Sequence, residues 1–149
     1  NSVSNNDMMP SFAFDRLSEV FGSVRNKKVT FLGVSYRGDV GDTRYTPVEK
    51  LVTKIQKAGG LLELHDPFVV FWEELDEKVE NNIYSVLQNA IDLVIFSTAH
   101  SIYRSSEVIE QIYAMKPMFI FDTVGVLNKE QITLLSKKHS VSVLGRGDL

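Results

Sequence analysis

The sequence predicts an α/β domain: a Rossmann-like open parallel sheet of about five strands with helices on both faces, preceded by an N-terminal helix. Three observations predict it. Short apolar runs alternate along the chain with stretches of helical periodicity. One of those runs, Ile91-Asp92-Leu93-Val94-Ile95-Phe96, is apolar at nearly every position, as suits a strand covered on both faces. Glycine, Asp-Pro or a helix-capping residue marks the junctions between elements. At 149 residues the chain has the size of one ordinary domain. Residues 1–24 read as the end of a connecting helical region, and residues 25–149 as the sheet domain.

The elements follow in order. Residues 1–9 are mostly polar and make no demand for burial. A helix is expected from Pro10, with Phe14, Leu17 and Phe21 on one side, Val20 beside them, and Gly22-Ser23 as its stop. Its aromatics need cover, either from this domain or as part of a longer helix. Residues 28–33 form a first strand ending at glycine, and residues 34–46 form a loop without periodicity. Thr46 suits an N-cap and Pro47 the first helical position, where a missing N–H costs nothing. Val48, Leu51, Val52 and Ile55 then supply a buried face up to Ala58-Gly59-Gly60.

Residues 61–65 form a second strand, ended by Asp66-Pro67. The stretch 68–82 is strongly apolar through Trp72 and then acidic; an extra turn or a short helix is expected there. Ile83, Val86 and Leu87 resume a helical face before the strand at 91–96. A loop at 97–100 leads to a helix over 106–113 carrying Val108, Ile109 and Ile112. A fourth strand at 117–121 reaches Asp122. The next helix starts at Asn128, where Gln131 closes a capping box and Ile132 and Leu135 face inward. Residues 141–144 make a fifth strand.

Composition narrows function. With 44% hydrophobic and 23% charged residues the chain is globular rather than disordered. A net charge of -3 and the lack of a basic aromatic platform argue against nucleic acid, and no apolar run approaches the roughly 20 residues of a membrane span. No signal-peptide pattern opens the sequence, so the cytoplasm is the expected compartment. There is no cysteine, hence no disulfide and no thiolate nucleophile in this chain. His65, His100 and His139 are too dispersed for a metal-ligand spacing, and no metal is expected.

In a parallel sheet, ligands collect beyond the carboxyl ends of the strands. That selects the loops at 33–46, 66–67, 97–100, 122–126 and 145–148. The first is the richest. Arg37 could clamp a phosphate, Asp42 or Asp39 could hold Arg44, and the following helix presents free N–H groups. The competing structural reading has both arginines in local salt bridges that order a long loop. Neither a Walker A pattern nor the glycine spacing of a dinucleotide fingerprint is present. Asp66 reads as a turn residue before a ribose ligand, His100 as a capping or packing residue before an acid–base group, and Asp122 as a backbone acceptor before a ligand contact. Phe68, Phe71 and Trp72 offer either a partner surface or buried packing. No Gly-x-Ser-x-Gly elbow exists, and no catalytic residue is assigned.

The ordered series is more specific than any one motif. Phe31-Leu32-Gly33 followed by Tyr36-Arg37, Asp42-Thr43-Arg44-Tyr45-Thr46-Pro47, Gly59-Gly60, His65-Asp66-Pro67, Ser97-Thr98-Ala99-His100 and Phe121-Asp122-Thr123 resembles the C-terminal, nucleotide-sugar-binding domain of the UDP-glucose/GDP-mannose dehydrogenase family. The likeness covers about residues 8–147. It implies a parent with an N-terminal NAD-binding domain and a central helical dimerisation region, both absent from this chain, and a homodimeric state. It implies oxidation of a UDP-sugar C6 alcohol to a carboxylate in two NAD-dependent steps through a cysteine-bound intermediate, for polysaccharide precursors. Residues 25–149 then hold the nucleotide sugar. The chain alone is expected to bind part of the UDP-sugar, to hold no NAD and to be inactive.

By the same resemblance, Tyr36 and Arg37 fall where the family's Phe-Lys pair holds substrate, with arginine in place of lysine. Asp42, Arg44, Thr46 and Pro47 match the Asp-x-Arg-x-Ser-Pro element, with threonine for serine, and organise the loop and the subunit interface together with Asp122. Where many members follow that aspartate with Gly-Arg, this chain has Thr123-Val124-Gly125. That form resembles the UDP-N-acetylmannosamine or N-acetylglucosamine dehydrogenase branches and implies an amino-sugar substrate. The alternative is a non-catalytic nucleotide-binding or structural module on the same fold.

Overall fold

A computed structural model describes residues 5–144. The loop expected at 145–148 lies outside the described residues. The chain runs through α1 (Asn5–Val20), β1 (Lys28–Leu32), α2 (Val48–Lys57), β2 (Leu61–His65), β3 (Phe71–Trp72), β4 (Glu77–Lys78) and α3 (Ile83–Asn89). It continues through β5 (Leu93–Phe96), a 3-10 turn (Ser101–Arg104), α4 (Ser106–Ala114), β6 (Phe119–Asp122), α5 (Lys129–Ser136) and β7 (Ser140–Val143). Five strands form one sheet in the order β2-β1-β5-β6-β7, every pair parallel.

The apolar strands of the sequence have two faces to fill. Val29 and Phe31 of β1, Leu93 and Ile95 of β5 and Phe121 of β6 pack with Ala13 and Leu17 of α1 and with Val48, Leu51, Val52 and Ile55 of α2. On the opposite face Leu32, Val94, Phe96 and Ile120 meet Ile83, Val86 and Leu87 of α3, Val108, Ile109 and Ile112 of α4, and Leu135 of α5. Alternate residues of each central strand therefore serve different cores, which removes the polar-out alternation of a one-sided sheet. The crossover after β1 lies on the α2 side, and the path from β2 to β5 covers the other side. The chain thus diverges between β1 and β5, the switch point where a parallel sheet opens a crevice.

Helix starts follow their caps. Asn82 accepts from the Tyr84 and Ser85 N–H groups, Ser105 accepts from Val108, and the Asn128–Gln131 capping box is present in both directions. Thr46 Oγ1 accepts from the Val48 N–H at 3.3 Å, so it caps α2 as expected, although the helix is bounded one residue later than Pro47. At the far end Gly59 takes φ +97, which a side-chain-bearing residue would resist.

Two expectations need correction. The N-terminal helix begins at Asn5 and Pro10 lies within it; the polar residues before Pro10 carry no apolar periodicity, so no pattern marks the added turn. The segment 68–82 holds an antiparallel hairpin of β3 and β4 rather than a helix. Asp76 supplies its tight turn at φ +54, and Trp72 pairs opposite Glu77. Of its aromatics Trp72 alone is fully buried, whereas Phe68 and Phe71 are 53% and 43% exposed. Among the described residues no helix is long and apolar enough to cross a membrane.

Candidate functional site

A cleft of about 230 Å³ opens at the carboxyl edge of the sheet, at the switch point. Its walls come from the loop after β1 (Tyr36, Arg37, Gly38), the loop after β5 (Ser97, Thr98, Ala99) and the loop after β6 (Thr123, Val124). Pro47, Val48 and Leu51 of the α2 start close one side, and Ala13 of α1 adds to it. Complete small-molecule sites measure roughly 300–1,000 Å³. This cleft has room for part of a ligand.

Arg37 and Tyr36 stand exposed at its mouth. Among the described residues no carboxylate lies within ion-pair distance of the Arg37 guanidinium. Arg44 behaves differently. Its Nε and Nη2 each reach an oxygen of Asp42 at 3.1 Å, and its backbone N–H reaches the same carboxylate at 3.0 Å. That guanidinium, with its N–H, holds the Asp42 carboxyl below the usual carboxylate range, and Arg37 adds a weaker electrostatic pull. The salt-bridge reading therefore holds for Arg44 and, among the described residues, not for Arg37.

Both loops are pinned by buried polar groups. The Ser35 carbonyl accepts from Thr46 Oγ1 at 3.2 Å and from Thr98 Oγ1 at 3.0 Å, joining the loop after β1 to the start of α2 and to the loop after β5. A methyl group placed on Gly38 would collide with the Ala99 carbonyl, so only glycine lets the two loops meet there. Gly33 sits at φ +109 in similar contact with Thr98.

Asp66, fully buried at the end of β2, is the hub beneath the cleft. Its Oδ2 accepts from the Val34 and Ser35 N–H groups, from Ser35 Oγ and from His100 Nε2, and its Oδ1 from the Phe68 N–H. Burial by itself would raise the Asp66 pKa; hydrogen bonds from His100, Phe68 and Val34 outweigh it and leave the carboxyl lowered. His100 Nδ1 accepts the Asp39 N–H at 2.8 Å, which leaves Nε2 as the donor to Asp66. The turn and packing readings of Asp66 and His100 are the ones the geometry supports. Close by, His65 is lowered by burial despite donating to the Asn81 carbonyl, and burial pushes the Tyr103 hydroxyl well up.

The remaining site residues separate. Tyr36, Arg37 and Pro47 meet in the cleft. Thr46 is buried beneath it. Asp42 and Arg44 stay outside; Arg44 lines a neighbouring surface hollow with Tyr45, Lys50 and Glu74. Asp122 is buried, and its carboxylate accepts from the N–H groups of Val124, Gly125, Val126 and Leu127. It shapes the loop that presents Thr123 and Val124. Sequence reasoning missed Ala13 and Leu51 as cleft walls, because both carry only a core-face signal. Of the two carboxylates offered to Arg44, Asp42 takes it, and Asp39 binds Ser101 instead.

Comparison with known proteins bears on this edge. The sequence model described as "UDP-glucose/GDP-mannose dehydrogenase family, UDP binding domain" matches residues 30–129. A UDP-N-acetyl-D-mannosamine dehydrogenase of Methanocaldococcus jannaschii is 31% identical over 150 residues, spanning 96% of this chain and 32% of that protein. A UDP-glucose 6-dehydrogenase of Bacillus subtilis is 21% identical over 87% of this chain and 29% of its own length. The chain thus spans about a third of the curated relatives it matches. The crystal structure of an NDP-N-acetyl-D-galactosaminuronic acid dehydrogenase from Methanosarcina mazei superposes with a TM-score of 0.71 at 24% identity, covering 94% of this chain and 29% of that one. That likeness establishes the fold.

Proposed function

The chain belongs to the UDP-glucose/GDP-mannose dehydrogenase family, as its UDP-binding domain, and from that premise we propose that it is the nucleotide-sugar-binding C-terminal part of an NAD-dependent UDP-sugar 6-dehydrogenase. The observation that carries the reading is the placement of Arg37, a guanidinium without an ion pair among the described residues, at the mouth of a small cleft beside the start of α2. Arg37 reaches the diphosphate through charge-assisted hydrogen bonds, and Tyr36 covers the adjoining part of the nucleotide. The apolar walls at Pro47, Val48, Leu51 and Val124 exclude water from one side of it.

The oxidation of the C6 alcohol to a carboxylate belongs to the segments that complete the enzyme. This chain has no cysteine to capture the aldehyde. Its first loop also lacks the closely spaced glycines of a dinucleotide fingerprint. NAD supplies hydride acceptance in the complete enzyme; the residues here bind and orient substrate. Residues 1–24 end the central helical region, and Asp42, Arg44 and Thr46 organise the loop facing the other subunit of a homodimer in the cytoplasm. The Thr123-Val124-Gly125 sequence, together with relatives named as UDP-N-acetyl-D-mannosamine dehydrogenases, favours a UDP-N-acetylhexosamine.

The complete dehydrogenase provides the test. Supplied with NAD and UDP-N-acetylhexosamines, it is expected to form NADH, and Arg37→Ala is expected to raise KM more than it lowers kcat. No NADH with any UDP-sugar contradicts the proposal.

A further inference from the structure

The turn that carries Arg37 is held by an acid. Asp39 takes the left-handed conformation at φ +62, an uncommon state for a residue with a side chain. Its N–H donates to His100 Nδ1 at 2.8 Å, and His100 is in turn fixed on the buried Asp66 carboxylate at 2.9 Å. Its own carboxylate accepts from the Ser101 N–H at 2.9 Å and the Ser101 hydroxyl at 2.6 Å. Two residues from a cation proposed to bind diphosphate, a carboxylate is electrostatically unfavourable. Here both of its oxygens are engaged by Ser101, and neither Asp39 nor Ser101 lines the cleft.

We propose that Asp39, clasped by Ser101 and His100, is a positioning residue for the nucleotide sugar, ordering the 36–39 turn so that Arg37 meets the diphosphate without first being immobilised. The inference rests on the reading that Arg37 binds the diphosphate. A free turn would give up conformational freedom on binding; the clasp removes that cost before the ligand arrives. It also fastens the loop after β1 to the loop after β5, so two walls of the cleft keep one spacing. The competing roles predict different signs. If Asp39 acted only through its charge, removing it would tighten anion binding. If it served stability alone, removing it would lower the melting temperature and leave affinity unchanged.

The experiment is calorimetric titration of the 149-residue chain with UDP, comparing wild type, Asp39→Ala, Asp39→Asn and Arg37→Ala, and combining both Asp39 changes with Arg37→Ala. Asp39→Ala is expected to weaken UDP about three- to tenfold. Asparagine tolerates the left-handed conformation and can still pair with Ser101, so Asp39→Asn is expected to stay within about twofold of wild type. In the Arg37→Ala background Asp39→Ala is expected to change affinity by less than about twofold, because its effect passes through Arg37. Unchanged or tighter binding in Asp39→Ala, or the same loss with and without Arg37, overturns the positioning role while leaving the UDP reading intact. Absence of saturable binding by the wild-type chain removes the UDP reading and this inference with it. Should Asp39→Ala fail to fold, Ser101→Ala, which removes one bond of the clasp without touching Asp39, must show the same Arg37-dependent loss; if it does not, the proposal is wrong.

Discussion

His100 and Asp66, 34 residues apart in sequence, meet at 2.9 Å with both side chains fully buried beneath the cleft. The bond links the end of β2 to the loop after β5, and His100 passes it on to the turn holding Arg37. His100→Ala leaves the Asp39 N–H without its acceptor and strips one donor from Asp66, which keeps Val34, Ser35 and Phe68. A loss of about 1–3 kcal/mol is expected in urea denaturation, short of what a wholly unpaired buried charge would cost. A variant as stable as wild type would show that the network contributes nothing.

Stability is expected to fall in two stages with acid. His65 and His139 both have folded pKa values lowered, chiefly by burial, beneath the ordinary value of about 6.5. The unfolded chain takes up those protons first, so stability declines as pH drops below about 6.5 and levels off once the folded values are passed. Asp66 is also lowered, and as an acid it stabilises above its unfolded pKa of about 3.9, losing that contribution as pH falls through the folded value. Urea midpoints from pH 8 to pH 3 read both stages. His139→Gln, which can still accept from Met118 and donate to Ile112, is expected to flatten the first; a profile rising toward pH 5 contradicts the assignment.

Gly38→Ala is expected to separate the two loops at the cleft. The added methyl would strike the Ala99 carbonyl, a backbone atom unable to rotate away. The expected result is weaker UDP binding together with destabilisation of about 1–3 kcal/mol, typical of overpacking. Wild-type affinity in this variant would show that the loops tolerate separation.

The strands and helices were legible because their signals are local. The run at 93–96 lacks alternation since its residues fill two cores, and Asn128 with Gln131 announces a helix start three residues apart. The hairpin at 68–82 was not legible. Each of its strands is two residues long, and Trp72 faces the core while its neighbour Phe71 faces out. The pairing of Asp42 with Arg44 could be anticipated across a single intervening residue. The links from Asp66 to His100 and from Asp39 to Ser101 could not, because the sheet alone brings those segments together. For the same reason the sequence singled out Arg37 and Arg44 alike, and the fold separates Arg44, paired with Asp42, from Arg37, which has no ion pair among the described residues.

The most direct measurement is titration of this chain with UDP, with Arg37→Ala beside it. Arg37 is exposed and unpaired among the described residues, so its removal leaves the fold intact and reports on the ligand. Saturable binding by the wild-type chain, weakened about tenfold by Arg37→Ala, is the predicted result. Equal affinity of the two proteins would contradict the claim that this guanidinium receives the diphosphate.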